Sequence, residues 1–465
     1  MIKRVGIINA IFYFIIWLAA LYLLSIVGEG NLKLFWANIF YVDALSALLV
    51  FTTATVTFAA AIFSISFIEK DFLMEKISFR KALFYYLLFN LFALAMFMVP
   101  LINNLGFLWM AIELTTLISS FLVGFYNTRN SVEAAWKYLI ICCVGITLAL
   151  FGAILFTFAL ATATGLKSLN WTDLMAFSKQ MNPETIKLAF LFILVGYGTK
   201  AGFAPMHTWL PDAHSQAISP ISAMLSGVLL KCSLYAILRY GMVVSLCCGA
   251  SFYSNLMLGF GFLSLAIACI FIITQKDIKR LLAYSSVEHL GLIAIGIGLN
   301  NPLAMFGALF HLFNHAVSKA LMFFTAGRVA QAYGTHNLEK ISGVSRALPI
   351  TGMAMLVGIF ALIGFPCSSI FISEFYLIGA AFLSGHYFIG ILLLGFLAII
   401  GGALLYHFGK ILFGKKPEQN ISPKESFSSY LAYSFLLVFI IGLGIFVPFV
   451  LQKSLYAAVS VLRGY

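Results

Sequence analysis

Residues 194–240 read LVGYGTKAGFAPMHTWLPDAHSQAISPISAMLSGVLLKCSLYAILRY, and this stretch decides the fold. It sets Lys200 and Lys231 deep in otherwise apolar runs, with Pro205, Pro211 and Pro220 between them. Proline lacks a backbone N–H and clashes with the preceding turn, so no continuous helix is expected to cross the whole segment. A lysine at membrane depth is expensive, and broken helical backbone there is tolerated only inside protein or beside a water-filled cavity. Lysines and broken backbone together read as an ion path, of which the rest of the chain is expected to supply the other half.

Working outward, the 465 residues are 62% hydrophobic and only 9% charged, and apolar runs of about 20 residues recur along the whole length. The runs are continuously apolar, without the two-residue alternation of a β-barrel, so the expected fold class is an all-α polytopic membrane protein. The net charge of +12 is spread over short loops, which suits anionic lipid headgroups rather than nucleic acid. The seven cysteines include no CxxC and no Cys/His cluster; they read as small buried hydrophobes, and no metal centre, haem or other cofactor is expected. The opening MIKRVG and the run after it look like the start of a signal peptide. The run is too long and lacks a small-residue cleavage site, so it reads as a retained first span.

Hydropathy and breaks predict thirteen spans, at 5–27, 42–68, 81–100, 104–125, 136–164, 186–213, 217–246, 250–274, 280–299, 302–331, 349–384, 386–413 and 429–451. The sixth is interrupted at Pro205/Pro211 and the eleventh at Gly364-Phe365-Pro366. With this division, 18 of the 28 basic residues fall on the side of the N-terminus and 7, Arg239 among them, on the other; Lys200, Lys231 and Lys319 lie inside spans. The positive-inside rule then puts the N-terminus in the cytoplasm and the C-terminus outside. Two spans (1–80) precede a five-helix block (81–246), a second block (250–413) follows, and a last span closes the chain (429–465). Each block has a broken fourth member. Five is odd, so the second block is inverted relative to the first, and inverted repeats with discontinuous helices are transporter architecture.

The titratable residues inside spans are the candidates for chemistry. Glu113 lies about nine residues into the fourth span and is expected to face a cationic partner, with Lys200 the natural one. Lys231, near the middle of its span, is too deep to snorkel. Removal from water disfavours the charged form of an amine, as a group that takes up and releases protons requires. In FHLFNHAVSKALMFF, His311, His315 and Lys319 recur at i, i+4 and i+8, on one stripe about 80° wide and about 12 Å long, like the rungs of a proton relay. A metal at His311/His315 is the weaker reading, because no suitably spaced carboxylate accompanies them. His289, beside Glu288 in YSSVEHLG, is placed to join the relay, and Glu374 in SSIFISEFY to end it. His207, Asp212 and His214 around WLPDAH are as well explained by capping or packing as by transport.

Three segments carry a resemblance: KAGFAPMHTWLPDAHSQAISPISAMLSGVLLK (200–231), QKDIKRLLAYSSVEHLG (275–291) and HLFNHAVSKALMFFTAGRV (311–329). They resemble the signature segments of the antiporter-like membrane subunits shared by respiratory complex I, group 4 membrane-bound [NiFe] hydrogenases and multisubunit sodium/proton antiporters. The likeness runs from about residue 41 to 413, and the Glu-His pair of SSVEHLG makes the chain most similar to the F-type subunit of hydrogenase-4 complexes. It implies two inverted five-helix bundles, each with a half-channel and a broken helix, joined by a central hydrophilic axis. Carried over, the carboxylate–lysine pair falls on Glu113 and Lys200, the relay lysine on Lys231, the central histidine helix on His311, His315 and Lys319, and the terminal group on Glu374. The resemblance implies fourteen core spans, against which thirteen are expected here, without the first and without the long lateral helix of the largest complex I subunit.

The resulting expectation is a proton-translocating, antiporter-like subunit of a bacterial inner-membrane complex of hydrogenase-4 or complex I type. It would have no redox centre of its own, would be driven by partner subunits, and would be the non-catalytic pumping part of an oxidoreductase. The alternatives are a sodium/proton antiporter module, or an ion-coupled solute-uptake subunit, without a redox partner; a structural membrane scaffold is disfavoured by the number of buried titratable groups.

Overall fold

A computed structural model describes residues 1–27, 33–35, 38–415 and 425–464. Helix α1 (Ile2–Val27) leads to a small antiparallel hairpin, β1 (Lys33–Phe35) and β2 (Phe40–Val42). Then follow α2 (Ala44–Leu73), α3 (Phe79–Met98), α4 (Leu105–Val123), α5 (Arg129–Thr164), the short α6 (Trp171–Ala176), α7 (Pro183–Ala201) and α8 (Trp209–Gln216). Next, α9 (Ser219–Met224) runs through a π-turn (Leu225–Leu229) into α10 (Leu230–Cys248). The second half contains α11 (Ala250–Thr274), α12 (Ile278–Gly298), α13 (Pro302–Tyr333), the short α14 (Val344–Ala347), α15 (Pro349–Leu362), α16 (Ser369–Leu383) and α17 (Tyr387–Phe413). Helices α18 (Phe427–Ile445) and α19 (Phe449–Leu462) end the chain.

The starts of these helices are written locally. Asp43, Ser78, Asn104, Asn182, Asp277, Asn301 and Ser368 each accept a hydrogen bond from a first-turn N–H, and Thr128 and Ser131 form a reciprocal capping box on α5. Caps matter more here than in water, because a bilayer offers no other partner to an orphan N–H.

Among the described residues, eleven helical segments are long and apolar enough to cross a membrane. Two more of the predicted spans are present in another form. The pair α15/α16 is the broken eleventh span, and α13 is 32 residues long but carries too many polar groups to read as a span by hydropathy alone. That polarity is tolerated because α13 lies inside the bundle, packed against α2, α9, α12, α15, α16 and α18, with nearly every residue buried. α2 and the α9–α10 unit are likewise enclosed, whereas α1, α5, α11, α17 and α18 turn most of their apolar surface outward. This is the multi-pass all-α architecture expected from the sequence, with the small hairpin added.

The predicted last span, 429–451, is shorter than expected. α18 ends at Ile445 and α19 begins after Pro448. Its 14 residues make about 21 Å, too short to cross about 30 Å of hydrocarbon. Ser454 donates to the carbonyl of Leu24 near the end of α1, the Tyr456 ring lies against Phe306 in the first turns of α13, and Gly464 approaches Leu246 at the end of α10. In the alternating path of the chain those three places are on one face, so α19 lies along that face and does not return.

Only one of the three prolines between Lys200 and Lys231 breaks a helix. The chain leaves α7 at Gly202 (φ +86°) and passes Pro205 before α8 starts; Pro211 and Pro220 sit in the first turns of α8 and α9, where the missing N–H has no acceptor to lose. Arg239, Lys279 and Arg328, counted as loop residues in the charge tally, are buried within helices. Removing them leaves 16 against 6, so the asymmetry survives. Lys416, Lys424 and Tyr465 lie outside the described residues.

Candidate functional site

Lys200 occupies the last turn of α7 and is fully buried. Its Nζ donates to Thr116 Oγ1 (2.9 Å) on α4 and to Tyr138 OH (2.5 Å) on α5, and lies over the rings of Tyr138 and Trp209. Tyr138 OH is in turn 2.6 Å from Ser119 Oγ. Glu113 sits one turn before Thr116 on α4, half-buried, accepting from Cys143 Sγ at 2.9 Å, with its second oxygen unpartnered among the described residues. The two groups expected to face each other therefore make no salt bridge within 4.0 Å. A sequence argument placed both charges in one five-helix block, but helical spacing cannot say which residue on the facing turn a lysine reaches.

Lys231 lies at the start of α10, just beyond the π-turn. Its Nζ reaches back to the carbonyl of Ser226 (2.5 Å) and across to His315 Nδ1 on α13 (2.6 Å). A π-turn widens the ladder and frees a carbonyl, which here serves the lysine. The His315 ring lies 4.7 Å, centroid to centroid, from that of His289 on α12, and His289 Nδ1 is 3.0 Å from His311 Nε2. His311 Nδ1 meets Ser373 Oγ on α16 at 2.9 Å. The next residue, Glu374, presents a donor atom that lies with one from each of His289 and His311 inside 4.8 Å. All of these groups are buried.

The histidine stripe differs from its expected form. The His311 and His315 rings stand 6.4 Å apart, centroid to centroid, and His289, brought in by another helix, lies closer to each of them, at 5.1 and 4.7 Å. Lys319 turns towards α12, where its Nζ donates to the carbonyl of Leu282 (3.0 Å) and to Ser285 Oγ.

Of the residues around WLPDAH, Asp212 belongs to a half-exposed ion cluster with Arg280 (2.7 Å) and Lys137 (3.6 Å). His207 packs beside Tyr284. His214 is fully buried, stacked on Phe323, with neither ring nitrogen partnered among the described residues. A polar cavity of about 380 Å³ opens nearby, lined by Asp71, Lys76, Gln216, Lys279, Gln331 and His336. Burial beside Lys279 and Lys76 pushes the loop imidazole of His336 down to about 3, so that mouth gains no charge from it near neutral pH.

One buried pair escaped the sequence reading. Arg239, two turns beyond Lys231 on α10, makes a bidentate contact with Asp43 (2.6 and 2.7 Å) at the start of α2, and its guanidinium lies over Trp171. Asp43 reads in sequence only as a helix cap. The available signal was Arg239 itself, a charge well before the end of an apolar run.

Residues 102–401 match the family model described as the membrane domain of NADH:quinone oxidoreductase and Mrp antiporter subunits. The chain belongs to that family. Within it, the chain is 34% identical over 443 residues to a hydrogenase-4 component F homologue of Methylacidiphilum infernorum, covering 95% of this chain and 91% of the relative. Two solved structures share the antiporter-like fold: an archaeal membrane-bound sulfane sulfur reductase complex and the Mrp complex of a Dietzia species. Their TM-scores are 0.87 and 0.86 at 24% and 20% identity, and each alignment covers 99% of this chain and 94% and 93% of the other. This antiporter-like subunit is thus of the type found in hydrogenase-4, complex I and Mrp assemblies, and its relatives are parts of multisubunit membrane complexes. Its buried lysines, histidines and glutamates fit proton translocation.

Proposed function

We propose that protons cross this subunit along Glu113, Lys200, Lys231, His315, His289, His311 and Glu374, with Lys319 delivering protons to it from beside Ser285, and that the two five-helix blocks form inverted half-channels meeting at His289. The observation that carries this reading is the close succession of buried side chains from Lys231 through three imidazoles to Glu374. Imidazoles pass protons because each ring can accept at one nitrogen and release from the other. The run is made of amine and imidazole groups, whereas sodium requires oxygen ligands, so the proton reading is preferred to sodium. The driving reaction belongs to partner subunits of a hydrogenase-4 or complex I type assembly in the bacterial inner membrane. The N-terminus faces the cytoplasm, and a reporter fused to the C-terminus is expected to behave as extracytoplasmic.

The test is proton flux in sealed vesicles containing the assembled complex. Lys231→Met and Lys319→Met keep the apolar stem and remove the proton site, so assembly should persist while flux falls to background. Lys231→Arg and Lys319→Arg should fail nearly as badly, because arginine does not deprotonate in proteins. Wild-type flux in all four variants would reject the path.

A further inference from the structure

We infer that His289, His311 and Glu374 form a binding site for a single divalent ion of zinc type, and that an ion held there blocks the path. The three come from α12, α13 and α16, and one donor atom from each lies within 4.8 Å of the other two. Bonds of about 2.0–2.2 Å at tetrahedral angles set donor atoms roughly 3.3–3.6 Å apart, so small side-chain rotations close the set. Two imidazoles and one carboxylate are the chemistry that borderline ions select, and three protein ligands leave a fourth position open.

Two independent observations point to a ligand. First, Glu374 Oε1 is buried without a hydrogen-bond partner among the described residues, a costly arrangement unless something is taken up. Second, the supporting contacts resemble those that orient metal ligands. His311 is held through its far nitrogen by Ser373 Oγ, which itself donates to the carbonyl of Ile370. Glu374 Oε2 lies against Gly364 so closely that a Cβ there would overlap it. The break between α15 and α16 lies beside the carboxylate, and Phe365, Pro366 and Cys367 there are exposed.

Binding follows from this geometry alone. Blockade rests also on the proposed proton path: the His289–His311 contact needs one shared proton, and an ion bound to both nitrogens displaces it.

The experiment titrates the purified complex with Co2+, whose absorption bands report four-coordinate binding, and then displaces it with Zn2+. One ion per chain should bind. Glu374→Gln, which keeps the shape of the side chain, should weaken binding at least about 10-fold, and His311→Ala further. Ser373→Ala should weaken it by about 10-fold, as loss of a ligand's hydrogen-bond partner does. His407→Ala, remote at the surface, should change nothing. Zn2+ should stop wild-type proton flux over the concentration range that displaces cobalt. Equal affinity in wild type, Glu374→Gln and His311→Ala would overturn the site and leave the path untouched. Full occupancy with undiminished flux would overturn the blockade and count against proton passage between His289 and His311, while leaving the site standing.

Discussion

The two broken helices place opposite charges at their breaks, and they house them differently. In the first, Lys200 is the penultimate residue of α7, at the carbonyl end, where the helix dipole and unpaired carbonyls favour a cation. Hydroxyls of Thr116 and Tyr138 complete its surroundings, and the break behind it is largely buried. In the second, Glu374 lies six residues past the Ser368 cap of α16, beyond the reach of the dipole at that helix start. Space takes over the role that backbone charge plays in the first. Gly364, in the left-handed region at φ +67°, leaves room for the carboxylate, and the break itself is exposed. The first break is closed around its charge; the second opens beside it.

The sharpest way to break this comparison is to remove the charges of the closed site. Lys200→Ala and Glu113→Gln are each expected to abolish most proton flux in assembled complexes. If they act as a unit through the Thr116–Tyr138 hydroxyls, the double variant should be little worse than either single one. Additive losses would show that Glu113 serves another step, as its contact with Cys143 rather than Lys200 would allow.

The next effect should come from the open site. Gly364→Ala forces a β-carbon into both an unfavourable φ and the Glu374 carboxylate, and is expected to cost about 1–3 kcal/mol of stability. It should also lower flux strongly, because the carboxylate must move. Thermal unfolding and vesicle flux measured together check this, and unchanged flux would place Glu374 outside the path.

The smallest effect sharpens the contrast. Gly202→Ala meets nothing closer than Leu210 Cδ2 at 3.5 Å, so it incurs only the left-handed backbone cost of about 1–2 kcal/mol. Flux should stay near wild type once the variant is assembled. A loss as large as that of Gly364→Ala would mean that the geometry of the first break, and not only its lysine, is used in transport.

The fold was legible in the sequence because a bilayer imposes length and polarity rules on each helix separately. Apolar runs, caps and prolines therefore announce every span, α13 included although other helices shield its polar groups, and they misplace only the last, where α18 ends before the short surface piece α19. The candidate residues were legible for the same reason: a titratable group in an apolar run is conspicuous. Their partners were not. His289 stands between His311 and His315 because α12 packs on α13, and Glu374 joins them from α16, supplying the carboxylate whose absence from the local spacing had made a metal reading weak. The Arg239–Asp43 pair joins residues 196 positions apart, one of them looking like an ordinary cap. Spacing along a helix reports which side chains share a face. Which atom each one meets is set by the register and tilt of neighbouring helices, and only the packing of the whole bundle determines those.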